Sequence, residues 1–301
     1  MARIKLRTPG KINWTLEVLG KREDGYHDVR MLMQSVSLFD YIDLSSKKEG
    51  ISIVSNSKDI PLDQANIAYK AADLLLSHCN IRAGVKIDIE KHIPLAAGMA
   101  GGSTDAAAVL VGLNKLWSLG LSLNELEVLG KEIGADVPFC IRGGTALAEG
   151  IGDRLSQLPP IKDVWLLLVK PPFSLSTARV YGGIDMDKVD KNINAMAVYD
   201  QLTSGSFKGS RLVGLANDLE GVSIGLYPEI QEIKRDLIGY GACASMMTGS
   251  GPTVYGVFTN KEKATEAMAK MKGRYSQVYL ARTWDRGPEI ISLEGGVFDQ
   301  D

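Results

Sequence analysis

The chain has 301 residues, 45% hydrophobic and 23% charged, and a formal net charge of −2. That balance excludes a disordered chain and argues against a strongly basic nucleic-acid binder, and the length suffices for one large domain or two ordinary ones. Cys79, Cys140 and Cys243 are too few and too scattered for a disulfide framework or a zinc site, and His27, His78 and His92 lack metal-ligand spacing.

The first residues carry charges with no apolar stretch behind them, which reads as no secretory signal. The longest apolar runs, such as that at 165–169, suit a buried strand and are too short to span a bilayer. A cytoplasmic protein without a membrane or nucleic-acid partner, monomeric or homodimeric, is expected. Ile12, Trp14, Leu16 and Val18 alternate with polar residues, the two-residue period of a half-buried strand, and Thr8-Pro9-Gly10 is a candidate turn before it. Further strands are expected at 31–36, 41–44 and 51–54, with the charged segment 20–27 as a hairpin tip. A helix over 66–77 places Ile67, Ala71, Leu74 and Leu75 on one face. Val85, Ile87 and Ile89 alternate as another strand.

A glycine-rich loop follows, Pro94-Leu95-Ala96-Ala97-Gly98-Met99-Ala100-Gly101-Gly102-Ser103-Thr104. It runs into a helix with the apolar stripe Ala106, Val109, Leu110, Leu113 and Leu116, for which Ser103 or Thr104 is a candidate cap. Ser122-Leu123-Asn124-Glu125 is a capping box opening the next helix, which stops near Gly134. Pro138 cannot continue that helix, so 133–139 reads as a loop. The chain is expected to change domain at Leu158-Pro159-Pro160, giving units 1–158 and 159–301, with the last strand returning to the first unit. A strand over 164–169, a helix over 228–238, strands over 242–247 and 253–258, a helix over 261–271 and a strand over 277–282 give the order of a split βαβ, ferredoxin-like layer.

The loop at 98–104 has two readings. Glycines let backbone amides approach an anion, the following helix aims free N–H groups and its dipole at the same point, and Ser103 and Thr104 add hydroxyls for phosphate or Mg²⁺. It also suits a tight strand-to-helix turn. It is neither a Walker A loop nor Gly-x-Gly-x-x-Gly. A second glycine loop, Met247-Thr248-Gly249-Ser250-Gly251-Pro252-Thr253, reads as a hairpin or as a second anion site. Lys11, Asp136 and His27 are, taken singly, a surface charge, a turn aspartate and a polar loop residue.

Taken together and in order, six segments resemble the GHMP kinase superfamily: Pro9-Gly10-Lys11-Ile12-Asn13, Lys21-Arg22-Glu23-Asp24-Gly25-Tyr26-His27, 93–108, Gly134-Ala135-Asp136-Val137-Pro138-Phe139, Asn217-Asp218-Leu219 and 247–258. They are most similar to the branch acting on a cytidine diphosphate derivative of methylerythritol. The resemblance implies an α+β, two-domain fold, with an N-terminal mixed α/β domain whose sheet has a left-handed crossover, a C-terminal ferredoxin-like domain and an active site in the cleft between them. It implies ATP and Mg²⁺, with Lys11 and Asp136 as the catalytic pair. Asp136 would be the general base, and Lys11 would hold it ionised and steady the phosphoryl group. Asn13 would orient the acceptor hydroxyl. Tyr26 and His27 would hold the cytosine, with Tyr181 on its other side and Gly249, Ser250 and Gly251 at the substrate. Asn66 and Lys91 would lie near adenine or ribose, beside the ATP loop 94–104. Ala100 stands where the superfamily loop carries glycine, and a negative φ is expected there. No acidic Mg²⁺ ligand is evident, which leaves Ser103 as a candidate. Other superfamily kinases (for homoserine or mevalonate) and a non-catalytic metabolite sensor are the competing readings.

Overall fold

Two long antiparallel strands, β1 (Arg3–Lys21) and β2 (His27–Lys47), form the spine of the molecule. The computed structural model describes residues 2–190, 192–209 and 211–295. Instead of a turn at 8–10, β1 runs through with its register shifting at Pro9/Gly10 and again after Asn13. Proline has no N–H for the ladder, so it occupies an irregularity rather than ending the strand. Likewise the two strands expected at 31–36 and 41–44 are one continuous element, β2.

β3 (Ile51–Ser55), α1 (Ile67–His78), β4 (Gly84–Glu90), α2 (Gly101–Leu116), α3 (Leu123–Ile133), α4 (Val137–Arg142), β5 (Thr145–Glu149) and β6 (Arg154–Leu158) follow. The capping box at Ser122 and Glu125 is formed, as expected. The expected loop at 133–139 instead contains the start of α4, with Pro138 in the first turn, where no intrahelical N–H is required.

The next elements are β7 (Trp165–Lys170), α5 (Thr177–Gly182), α6 (Ala195–Ser204), β8 (Ala216–Asn217), α7 (Asp218–Leu226), α8 (Glu229–Gly239), β9 (Ala244–Met247), β10 (Val254–Phe258), α9 (Lys261–Lys272), β11 (Gln277–Arg282) and β12 (Glu289–Glu294). The larger sheet has the order β12-β1-β2-β4-β3, with β5 beside β2, β6 beside β5 and β8 beside β1. The smaller sheet is antiparallel in the order β11-β7-β10-β9, the ferredoxin-like arrangement that the sequence implied.

Alternation along β7 explains how the layers join. Leu167 and Val169 share a core with Ile230, Ile233, Leu237, Ala264 and Ala267 of α8 and α9. Leu166 and Leu168 point the other way, into a cluster with Ile12 and Trp14 of β1 and Tyr255 of β10. Trp14 and Tyr255 meet edge-to-face at 5.7 Å. On the far side of the large sheet α2 lies close enough that a Cβ on Gly112 would come 2.6 Å from Leu44 Cδ1 and 2.8 Å from Leu6 Cδ1. Gly112→Val therefore overpacks this contact and should lower unfolding stability by about 1–3 kcal/mol in urea titrations; an unchanged midpoint would show that the helix shifts without penalty.

Candidate active site

The phosphate-loop candidate begins where β4 ends and closes on the first turn of α2. Thr104 N donates to Ala100 O (2.9 Å), so Thr104 is the first residue whose N–H is satisfied within the helix. The preceding amides, of Gly101, Gly102 and Ser103, have no intrahelical carbonyl, and no side chain caps them. Residues 94–98 and 100–103 line one cavity of about 860 Å³. The N-cap is Ala100 rather than Ser103 or Thr104, and its φ is +56°, not negative. The chain doubles back here between Met99, buried against Gly10 and Ile93, and the axis of α2. Alanine adopts the left-handed conformation at roughly 1–2 kcal/mol, less than a branched residue would need. Two members of the loop do not face the cavity. Met99 is an apolar anchor in the core. The Thr104 hydroxyl donates to Pro9 O (2.7 Å) and lies 2.6 Å from the Thr8 hydroxyl, so it offers nothing to phosphate or metal.

The second glycine loop packs directly on the first. A Cβ on Gly98 would lie 2.2 Å from Thr248 O, and Gly98 has φ +72°. Thr248 Oγ1 accepts from Asn13 N (3.0 Å) and donates to Gly98 O (3.4 Å). Asn217 Nδ2 donates to Met247 O (2.9 Å) and Gly249 O (2.8 Å), fixing the loop from beneath. Gly249 and Ser250 reach the cavity; Gly251 instead closes the turn through its N–H to Thr248 O.

Lys11 and Asp136 meet between the loops, with Lys11 Nζ 4.0 Å from Asp136 Oδ2. The lysine side chain is 7% exposed and the aspartate 33%, so the ammonium is desolvated while the carboxylate opens to the cavity. Lys11 Nζ also donates to Asn13 Oδ1 (2.8 Å). Asn13 is fully buried and off the cavity wall, so it orients Lys11 and does not reach an acceptor hydroxyl. Burial and the negative charge of Asp136 together push up the Cys140 thiol and the Tyr181 phenol.

Tyr26, His27 and Tyr181 line the same cavity. The His27 and Tyr181 rings lie 5.3 Å apart with planes at 33°. Burial, then the Lys21 ammonium, lowers the His27 pKa below its ordinary 6.5, which favours the neutral imidazole. Tyr26 is 62% exposed at the rim. Two expected nucleotide contacts lie elsewhere. Asn66 is the N-cap of α1, with Oδ1 accepting from Ala68 N (2.9 Å) and Nδ2 donating to Pro61 O (2.7 Å), and it does not line the cavity. Lys91 turns inward, ion-paired with Asp40 and with Asp105 (2.7 Å). Sequence reasoning also missed Thr177, whose hydroxyl lies 2.9 Å from that of Ser250 on the cavity wall; only its place beside Tyr181 hinted at it.

Residues 66–144 match the family described as GHMP kinases N terminal domain, and residues 208–277 match GHMP kinases C terminal. A relative from Clostridioides difficile named 4-diphosphocytidyl-2-C-methyl-D-erythritol kinase is 46% identical over 95% of this chain and 97% of its own length. One from Bacillus cereus with the same name is 45% identical over 93% and 96%. The chain belongs to the 4-diphosphocytidyl-2-C-methyl-D-erythritol kinase family. A crystal structure of 4-(cytidine 5'-diphospho)-2C-methyl-D-erythritol kinase superposes with a TM-score of 0.81 at 30% identity, covering 97% of this chain and all of that one. A homoserine kinase from Cytophaga hutchinsonii follows at 0.78 and 19% identity over 96% of this chain and 97% of its own, a likeness of fold. Membership of this family makes the chain an ATP-dependent small-molecule kinase of isoprenoid precursor biosynthesis. Among the described residues no helix is long and apolar enough to cross a membrane, and no cluster of three or more His, Cys, Asp or Glu side chains is placed to hold a metal.

The packing of the two loops gives a direct test. Gly98→Ala adds a Cβ where Thr248 O already sits and also strains a left-handed residue, so it should cost at least about 1–2 kcal/mol of stability and most of the activity. Retention of both would mean that the loops are not held against each other.

Proposed function

We propose that this chain transfers the γ-phosphoryl group of ATP to the 2-hydroxyl of 4-diphosphocytidyl-2-C-methyl-D-erythritol in the non-mevalonate isoprenoid pathway, in the cleft between its two sheets. The observation that carries this reading is one cavity lined at once by the uncapped N-terminus of α2, the His27–Tyr181 pair and the Lys11–Asp136 pair.

The chemistry needs little more than position and charge. The triphosphate rests on the amides of Gly101, Gly102 and Ser103, where the dipole of α2 favours anions. Asp136 accepts the proton of the attacking hydroxyl as its oxygen bonds to the γ-phosphorus and the bond to the ADP oxygen breaks. Lys11, 4.0 Å from the Asp136 carboxylate, neutralises charge building on the transferring group. The Ser103 hydroxyl, on the cavity wall, would be the protein ligand for a Mg²⁺ carried in with the triphosphate, which would supply further charge neutralisation. His27, held neutral, both donates and accepts along the polar edge of cytosine, and Tyr26 and Tyr181 offer it aromatic faces. Homoserine and mevalonate have no base to occupy that wall. The presence of both Lys11 and Asp136 opposes the sensor reading.

Asp136→Asn should lower kcat by at least about 100-fold while leaving substrate binding within about threefold, since general-base catalysis contributes on that scale. Wild-type turnover in this variant would remove Asp136 as the base. His27→Ala should raise the KM for the cytidine substrate and leave that for ATP alone; an equal rise in both would place His27 in the wrong half of the cavity. Because burial and the Lys21 ammonium hold the His27 pKa below its ordinary 6.5, any His27-dependent rise in the cytidine-substrate KM should appear on the acid side with its midpoint below 6.5. A KM inflection above 6.5 that disappears in His27→Asn would contradict this.

A further inference from the structure

Behind the phosphate loop lies a buried charge cluster to which nothing above assigns a role. Asp40 of β2, Lys91 between β4 and the loop, and Asp105 of α2 have side-chain exposures of 0%, 4% and 5%. Lys91 Nζ donates to Asp40 Oδ2, to Asp105 Oδ2 (2.7 Å) and to the main-chain carbonyl of Gly101 (3.2 Å). Asp40 Oδ1 accepts from the N–H groups of His92 (2.6 Å) and Ile93 (2.8 Å). One ammonium thus ties a strand, the segment leading into the loop and the first turns of α2 to a single point.

Its position is specific to the loop. A Cβ on Gly101 would lie 3.3 Å from Lys91 Nζ, so the ammonium sits directly behind the residue whose other side lines the cavity. The loop has no side-chain cap of its own, and Ala100 holds a disfavoured left-handed conformation. Left alone, that turn would relax. The bond from Lys91 to Gly101 O holds the peptide that precedes the Gly102 amide, keeping its carbonyl turned inward.

We propose that Asp40, Lys91 and Asp105 form a positioning clamp for the triphosphate-binding turn, with Lys91 as its hub and Asp105 as the group that orients it. This rests on the reading of the loop as the ATP site. The charge count supports it. Fully ionised, the cluster would place a net negative charge one helical turn from the triphosphate. Burial pushes the Asp105 carboxyl well above the usual range against the pull of Lys91, and its Oδ1 has no hydrogen-bond partner. A neutral Asp105 leaves Lys91 balanced by Asp40 alone, so the clamp orders the loop without repelling its ligand.

The test titrates the full-length chain with a non-hydrolysable ATP analogue and, separately, with CDP. Lys91→Met should weaken the ATP analogue by about tenfold, as expected for the loss of a charge-assisted hydrogen bond, and CDP by less than about threefold. Asp105→Ala should also weaken the analogue selectively. Asp105→Asn, which keeps an acceptor for Lys91 and mimics the neutral acid, should recover most of that loss. Unchanged analogue affinity in Lys91→Met, equal losses for both ligands, or equal losses in Asp105→Ala and Asp105→Asn would overturn the clamp. If circular dichroism shows Lys91→Met unfolded, the Asp105 pair decides. Failure of the wild-type chain to bind the analogue would instead overturn the ATP reading, and the clamp with it.

Discussion

The structure depends on how the β9–β10 hairpin is stitched to β1 at Asn13. The Asn13 N–H is taken by Thr248 Oγ1 and its carbonyl by the Tyr255 hydroxyl (3.0 Å), while its side chain holds Lys11. A single residue in the middle of the longest antiparallel pair thus fixes the smaller sheet, the second glycine loop and the buried ammonium. Buried backbone groups must be paired, and here the partners come from the other sheet. Gly98 completes the constraint, because no side chain could occupy the space between its Cα and Thr248 O.

The two buried lysines show how the same group serves two ends. Lys11 has one carboxylate at 4.0 Å, beyond hydrogen-bond reach and one-third exposed, so the pair is loosely held and open to a third charge. Lys91 has two enclosed carboxylates within hydrogen-bond distance and no route to the cavity. A lysine so fully engaged cannot leave its partners to meet a ligand, because breaking a buried pair costs several kcal/mol. The loose pair suits chemistry, and the tight one suits architecture.

Local signals in the sequence were good guides wherever the physics is local. The Ser122 and Glu125 box, the alternation of Val85, Ile87 and Ile89, and the order of elements from α8 to β11 all depend on neighbours a few residues away. The errors lie where distant contacts decide. Ala100 is left-handed because Met99 must reach the core beneath Gly10, and Thr104 turns inward because Thr8 and Pro9 wait for it. Lys91 was expected near adenine or ribose from the family resemblance, but the fold turns it inward. Asp40 and Asp105, which claim it, lie 51 and 14 residues away.

The division of the cavity explains why the glycine loop marks a superfamily and the substrate wall marks a branch. Main-chain amides at a helix N-terminus recognise any phosphate, and many sequences that supply small residues and the right turn will make them. A cytosine edge is different. On the reading proposed above, it needs a neutral donor and acceptor at a fixed place, which an imidazole whose protonation is disfavoured by burial and by a neighbouring cation can offer. On the same reading, the aromatic ring offered to the base comes from α5, far along the chain. Generic binding is therefore carried by backbone geometry and selective binding by side chains.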